Sequence, residues 1–259
     1  MGDKISLEES LVLGSQGRLT ADTADVKKPL VVRGVIKKDH VNECVRTGRD
    51  FWYIDTGYLG NFPSVGNPNG KKIWHRVVKN ENQHSTIRDV PADRWNKLVA
   101  QDPKLKWGGW KNYDKKILLV MPNPKACKYY DVNYDEWVEN TQKEIAKHTD
   151  LPVEVRVKGS RVYRNKEYSI YDAFDSGVAV TVAFNSIAAL ESIAYGIPAI
   201  VSVPCAASPL ASNDLSTISN PFKPDVADIE KQCQNLAYGQ FTLHEIESGI
   251  AYEITEKYS

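Results

Sequence analysis

The chain has 259 residues, 42% of them hydrophobic, and its 33 Lys+Arg are matched by 33 Asp+Glu. These values suit an ordinary soluble globular protein of one large domain or two small ones, with a real core. No apolar run approaches the ~20 residues of a membrane span, the N-terminus lacks the apolar core of a signal peptide, and Cys44, Cys127, Cys205 and Cys233 form no C-x-x-C pair. A zinc site is therefore not expected, and reduced thiols in a cytoplasm are the simplest account.

The balanced total hides an uneven distribution. Residues 1–120 hold 21 Lys+Arg against 14 Asp+Glu, and residues 121–259 hold 12 against 19. The basic excess falls within 71–116, with 12 basic and 5 acidic residues. Such asymmetry suits a half that faces a polyanion; a solvated surface with uneven charge accounts for it equally well.

In chain order, residues 6–13 read as a short strand or helix, and Gly14–Gly17 as a turn that lacks the Lys-Ser/Thr ending of a phosphate loop. Residues 30–33 read as a strand, which Gly34 ends or bends. Residues 38–46 read as a helix with Val41 and Val45 on its apolar face, stopped by Gly48. The aromatic and β-branched run 51–54 reads as a strand leading into Asp55-Thr-Gly57. An acid at the carboxyl end of a strand lies where open α/β sheets place their active sites; it also suits a turn acid that caps its own backbone.

Residues 62–72, rich in Pro, Gly and Asn, read as a loop. Residues 80–116 are polar, with Trp95, Trp107 and Trp110 among lysines. Aromatics interleaved with bases suit stacking on nucleobases and pairing with phosphates. They equally suit a small core with lysines snorkelling around it.

Residues 115–122 read as a strand that opens a second domain. Residues 134–148 read as a helix whose acidic start and basic end complement its dipole. Residues 151–157 alternate as a strand that delivers Arg156, Lys158 and Arg161, and residues 168–176 as a short helix or turn. Val178–Pro204 then reads as strand, polar cap, helix, glycine stop, strand. Asn185 and Ser186 offer capping oxygens, Ile187, Leu190, Ile193 and Ala194 keep helical spacing, and Gly196 with Pro198 ends the helix. The free N–H groups of that helix, with the Ser186 hydroxyl, make an anion site. Glu191 needs a polar partner in so apolar a segment, and a ribose diol suits it. An ordinary capped β-α-β unit has the same features. Beyond Pro204, Ser208 lies in a polar loop, and residues 225–238 and 242–256 read as two helices.

The spacing Ser186, Glu191, Gly196, Pro198 resembles the nucleotide-binding segment of GT-B glycosyltransferases, most specifically capsule-polysaccharide-type transferases and their phage relatives. DFWYIDTGYLGN resembles their YYIDxGY element, WHRVVKN their YR-x-x-x-N element, VRVKGSR their Arg-x-Lys, and LAYGQFTLHEIESGIAYEI their terminal segment. The resemblance implies an α/β fold of two Rossmann-like halves in a compact GT-B arrangement. The expected parts are an acceptor half over 1–114, a nucleotide-sugar half over 115–240, and a C-terminal helix over 241–259 packing back on the first half.

It implies transfer from a UDP-sugar with inversion, with no metal and no cofactor beyond that co-substrate. Asp55 is the expected base and His75 its competitor. Arg156, Lys158, Arg161, Asn185, Ser186, Glu191 and Ser208 are expected on the donor, and Tyr58, Arg76, Lys79, Trp107 and Trp110 on the acceptor. Phage relatives make 5-hydroxymethylcytosine in DNA the leading acceptor, with DNA as a partner and the host cytoplasm as the location. A cytoplasmic transferase that builds a surface polysaccharide is the alternative, and a non-catalytic nucleic-acid-binding module is the reading of another class. No membrane partner is expected, and the sequence gives neither the sugar nor the oligomeric state.

Overall fold

The computed structural model describes residues 6–17, 25, 27–34, 37–61, 73–105, 107–157 and 170–259. The strands among them are β1 (Leu30–Arg33), β2 (Phe51–Thr56), β3 (His75–Lys79), β4 (Lys116–Val120), β5 (Val153–Arg156), β6 (Val178–Ala183), β7 (Ala199–Val201) and β8 (Gln240–Phe241). The α-helices are α1 (Leu7–Gly14), α2 (Lys38–Thr47), α3 (Asp93–Gln101), α4 (Pro124–Tyr129), α5 (Tyr134–His148), α6 (Ile170–Asp175), α7 (Ile187–Ala194), α8 (Val226–Tyr238), α9 (Leu243–Glu247) and α10 (Ile250–Lys257). By contacts the chain divides into two compact units, residues 1–84, 88–102 and 233–259, and residues 85–87 and 103–232.

The first unit is built on a mixed sheet of order β1-β2-β3-β8. β1 and β2 are parallel, and the other two pairings are antiparallel. Residues 51–54 are buried on both faces of β2, which is why that stretch is apolar without alternation. One face carries Val32, Phe51 and Tyr53 under Val41 and Cys44 of α2. The other carries Trp52, Ile54, Val77 and Phe241 under Leu11, Ile246 and Ala251 of α1, α9 and α10. The C-terminal helices thus complete the core of the first unit. Their close approach to α1 depends on two glycines. A Cβ at Gly14 would lie 2.2 Å from the Ile246 carbonyl oxygen, and one at Gly249, whose φ is +86°, would lie 2.3 Å from the Gly14 oxygen. Gly249 also breaks the helix expected over 242–256 into α9 and α10.

The second unit is built on an all-parallel sheet of order β5-β4-β6-β7. Ile117, Leu119, Val180, Val182 and Ile200 form its core with Ile145 of α5 and Ile218. Thr181 lies on the opposite face by strand alternation and accepts a 2.7 Å hydrogen bond from Ser192 of α7, so the one polar residue inside β6 is satisfied. β6, α7 and β7 fall where the sequence places them: Ser186 caps α7, and Gly196 takes φ +92° just beyond it.

Several expectations change. α2 buries Val41 and Cys44, while Val45 is 68% exposed, because a ten-residue helix on one strand pair hides only a narrow stripe. The polar segment after residue 80 contains α3, whose Trp95 and Leu98 are buried in the first unit. Trp95 is thus a core residue. α4 and its Asn123 cap were not anticipated, although Asn-Pro just past a strand is a helix-start signal.

Candidate functional site

In the first unit, the β2–β3 register sets Asp55 opposite Arg76 and Thr56 opposite His75. Successive side chains alternate across a sheet, so Asp55 and His75 occupy opposite faces. The two candidate bases therefore cannot serve one hydroxyl from one side. Asp55 is the penultimate residue of β2 rather than a residue of the turn beyond it.

The Asp55 carboxylate is held at both oxygens. Oδ1 accepts from the Thr56 N–H at 2.7 Å, so a bond to its own neighbouring backbone is present. Oδ2 accepts from the Tyr53 hydroxyl at 3.3 Å and from Arg76 Nη2 at 3.3 Å. Arg76 also donates from Nη1 to the Thr56 carbonyl at 3.3 Å. Its guanidinium lies between two rings, 5.5 Å from the centroid of Tyr53 and 5.4 Å from that of Tyr58. Burial pushes the Tyr53 hydroxyl well above its ordinary range, so it remains a donor to the carboxylate.

Tyr58, expected to touch the acceptor, is only 2% exposed. Its hydroxyl lies 3.1 Å from His84 Nδ1 and accepts from the His84 backbone N–H at 3.0 Å. It supports the Arg76 guanidinium and leaves no surface for a ligand. Burial, then the neighbouring Arg88 and Arg76, lower His84 to about 3, so its ring is neutral at physiological pH and can accept the phenolic proton. The turn after Asp55 is fixed from β8. The Gln240 side chain accepts from the Tyr58 and Leu59 N–H groups at 2.8 and 2.9 Å and donates to the Leu59 carbonyl at 3.0 Å. Gly239 packs on the His84 ring so tightly that a Cβ would meet its atoms at 2.1–2.6 Å. Tyr53, His84, Gly239 and Gln240 were not singled out from the sequence. Tyr53 was within reach, because two residues before Asp55 on a strand means the same face.

Lys79 lies on the His75 face, paired with Glu256 at 2.7 Å and 5.3 Å from the Trp52 ring. Other cations of the basic stretch are paired as well: Arg76 with Asp55, Arg88 with Glu81, Arg94 with Glu245 and Lys116 with Glu154.

In the second unit, β4 and β6 are neighbours while β5 lies on the other side of β4, so the strand order reverses between β4 and β6. Ligands of open α/β sheets bind at that point, beyond the carboxyl ends. The register aligns Arg156, Val120, Ala183 and Val201 along this edge. Asn185 and Ser186 follow Ala183 after the buried Phe184, and both are half-buried, as are Arg156 and Glu191. Ser186 Oγ accepts from the Ala188 N–H at 3.2 Å. That bond uses a lone pair and leaves the hydroxyl proton available to an anion.

Ser208 stands differently. Its hydroxyl accepts from the Cys205 N–H at 2.8 Å and lies 3.8 Å from Cys205 Sγ, which commits it to its own turn. Trp107 and Trp110 make an edge-to-face pair with centroids 5.9 Å apart. The strand of chain that carries them is fixed at the far end of α7. Lys111 N–H donates to the Gly196 carbonyl at 2.7 Å, and Lys111 Nζ lies 4.6 Å from the Tyr195 ring. An eight-residue helix is about 12 Å long, so this anchor sits at the opposite edge of the sheet from Ser186. Lys158 and Arg161 lie outside the described residues.

Among the described residues, no three His, Cys, Asp or Glu side chains gather as a metal site, and no helix is long and apolar enough to cross a membrane. No family model matches the chain, and no curated protein matches it. Among solved structures, the chain is similar to Thermosulfurimonas dismutans KpsC, a beta Kdo 2,4 transferase, with a TM-score of 0.51 at 11% identity over 87% of this chain and 86% of that one. Likeness at this identity is a statement about fold. The fold is α/β with two sheet-centred units, one sheet mixed and one all parallel, and it is this fold that the chain shares with that transferase.

Proposed function

We propose that the chain is a glycosyltransferase that moves a sugar from a nucleotide-sugar, most simply a UDP-sugar, to a hydroxyl of a surface polysaccharide. The observation that carries this reading is the alignment of Arg156 and the Ser186-capped helix at the carboxyl edge, where the strand order reverses. A cation, a hydroxyl and a helix N-terminus at one edge suit the charge that develops on a diphosphate leaving group. The likeness in fold to KpsC, a beta Kdo 2,4 transferase, supports a glycan acceptor.

In the proposed reaction the acceptor oxygen attacks the anomeric carbon. The bond from that carbon to the phosphate oxygen breaks, its electron pair leaves with UDP, and the acceptor proton passes to Asp55. A single displacement inverts the anomeric centre. Glu191 holds the ribose, and Arg156 and Ser186 hold the diphosphate.

The second reading keeps this chemistry and takes 5-hydroxymethylcytosine in DNA as acceptor, on the resemblance of the Asp55 and Arg76 segments to phage transferases. Its independent support was the basic, Trp-bearing stretch 71–116. Five cations of that stretch are paired with carboxylates, Trp95 is in a core, and Trp107 and Trp110 belong to a segment anchored away from the donor edge. The glycan reading is therefore preferred.

The test is UDP release from a panel of UDP-sugars with three acceptors: a Kdo-bearing oligosaccharide, 5-hydroxymethylcytosine DNA, and unmodified DNA of the same sequence. Release dependent on the oligosaccharide supports the proposal. Release dependent on the hydroxymethyl group moves the acceptor to DNA. Absence of UDP binding removes the donor reading.

A further inference from the structure

The Asp55 carboxylate has about four acceptor positions, two on each oxygen. Oδ2 is occupied twice, by the Tyr53 hydroxyl and by Arg76, whereas Oδ1 accepts a single bond, from the Thr56 N–H. One position on Oδ1 therefore remains. The groups on Oδ2 cannot easily move. Tyr53 is fully buried in the α2-side core, and the Arg76 guanidinium is fixed by the Thr56 carbonyl and two aromatic rings.

Arg76 Nε is buried with no hydrogen-bond partner. A buried guanidinium with an unmade bond costs stability, and such costs concentrate where function requires the group. Only 14% of the Arg76 side chain is exposed, which suits a support better than an acceptor contact.

We propose that Tyr53 and Arg76 are positioning residues that hold Asp55 by Oδ2 and present Oδ1 to the acceptor hydroxyl. The inference rests on the transferase reading above. In the step it describes, the acceptor O–H proton goes to Oδ1 as the oxygen–carbon bond forms, and the electron pair of the broken carbon–oxygen bond leaves with the diphosphate of the UDP-sugar. Neither Tyr53 nor Arg76 exchanges a proton. This assigns Tyr53 a role beyond packing, and moves Arg76 from the acceptor to the base.

The discriminating variant is Tyr53→Phe, which removes the hydroxyl and keeps the ring in the core and against the guanidinium. Arg76→Met serves as the second. Initial rates of UDP release are measured against acceptor concentration, using whichever acceptor supports wild-type turnover, with UDP affinity measured separately by calorimetry. Loss of one hydrogen bond that orients the base predicts a kcat lower by about tenfold in Tyr53→Phe, with acceptor KM within twofold and UDP affinity unchanged. A raised KM at constant kcat in Arg76→Met would make it an acceptor contact and overturn the proposal. Unchanged kcat and KM in Tyr53→Phe would do the same. Wild-type turnover in Asp55→Asn would remove the base itself and this inference with it. Failure of the wild type to bind UDP refutes the donor reading instead, so the two failures are distinguishable.

Discussion

Ser186 caps α7 and is proposed to bind the donor, and one substitution pair separates the two roles. As the α7 cap it accepts from the Ala188 N–H at 3.2 Å, and removing such a cap costs about 1 kcal/mol of stability. As a donor ligand it would give its hydroxyl proton to the diphosphate. Ser186→Ala loses both, so unfolding free energy falls by about 1 kcal/mol. UDP affinity falls roughly 10- to 100-fold, the range for a hydrogen bond to a charged group. Ser186→Asp keeps the cap, because Asp and Ser cap almost equally well, and it adds a charge that the helix N-terminus favours by a further ~0.3–1 kcal/mol. Its carboxylate would nonetheless repel the diphosphate. Two unit charges about 4 Å apart at an effective dielectric of about 20 interact by roughly 4 kcal/mol, about three orders of magnitude in Kd. Urea unfolding and UDP calorimetry on the same preparations measure the two effects. The expected pattern is that Ser186→Asp is at least as stable as the wild type and does not bind UDP measurably. A Ser186→Asp protein that binds UDP as well as the wild type would refute the reasoning and reduce Ser186 to a helix cap.

Other outcomes follow from the same geometry. Gln240→Leu leaves two backbone N–H groups and one carbonyl without the Gln240 side chain in the interior, and should lower unfolding free energy by about 3–9 kcal/mol at roughly 1–3 kcal/mol per group; a loss below 1 kcal/mol in urea denaturation would contradict that reasoning. Gly196→Ala puts a Cβ 2.1 Å from the Gly109 carbonyl oxygen at φ +92°, so it should destabilise the protein by about 2–4 kcal/mol, measured in the same way. His84 is held near 3 against an ordinary value of 6.5, so below pH 6.5 the unfolded chain takes up a proton that the folded chain does not. Its contribution to stability is therefore intact above pH 6.5 and declines toward pH 3, by at most about 1.4 kcal/mol per pH unit. Urea unfolding from pH 7 to 4 should show a shallower decline in His84→Asn than in the wild type, and equal slopes would show that His84 is not the source.

The β6–α7–β7 segment was legible almost to the residue because every local signal agreed: a β-branched run, a capping serine, helical spacing, then glycine and proline. The first unit was harder to read. Its sheet is closed by β8, two residues contributed from 161 positions beyond β3, and no local pattern announces a pairing that distant. The support of Asp55 was hidden for the same reason, since Gln240 reaches the turn after Asp55 only through that strand. Tyr58 was misread, and Trp95 was left open between stacking and core packing, because an aromatic among polar neighbours looks available to a ligand, while its burial is decided by elements elsewhere in the chain. The charge of 71–116 stayed open between a polyanion site and a solvated surface for a similar reason: the acids that pair with Lys79 and Arg94 lie near the C-terminus, outside any window centred on the lysines and arginines.

The central proposal is that Arg156, Ser186 and Glu191 bind the nucleotide and that Asp55 takes the acceptor proton. The most direct test is single-turnover UDP release by the wild type and by Asp55→Asn, with UDP affinity measured for both. The account predicts that both bind UDP equally and that only the wild type releases it from the sugar. Release at the wild-type rate in Asp55→Asn, or absence of UDP binding in both, would contradict it.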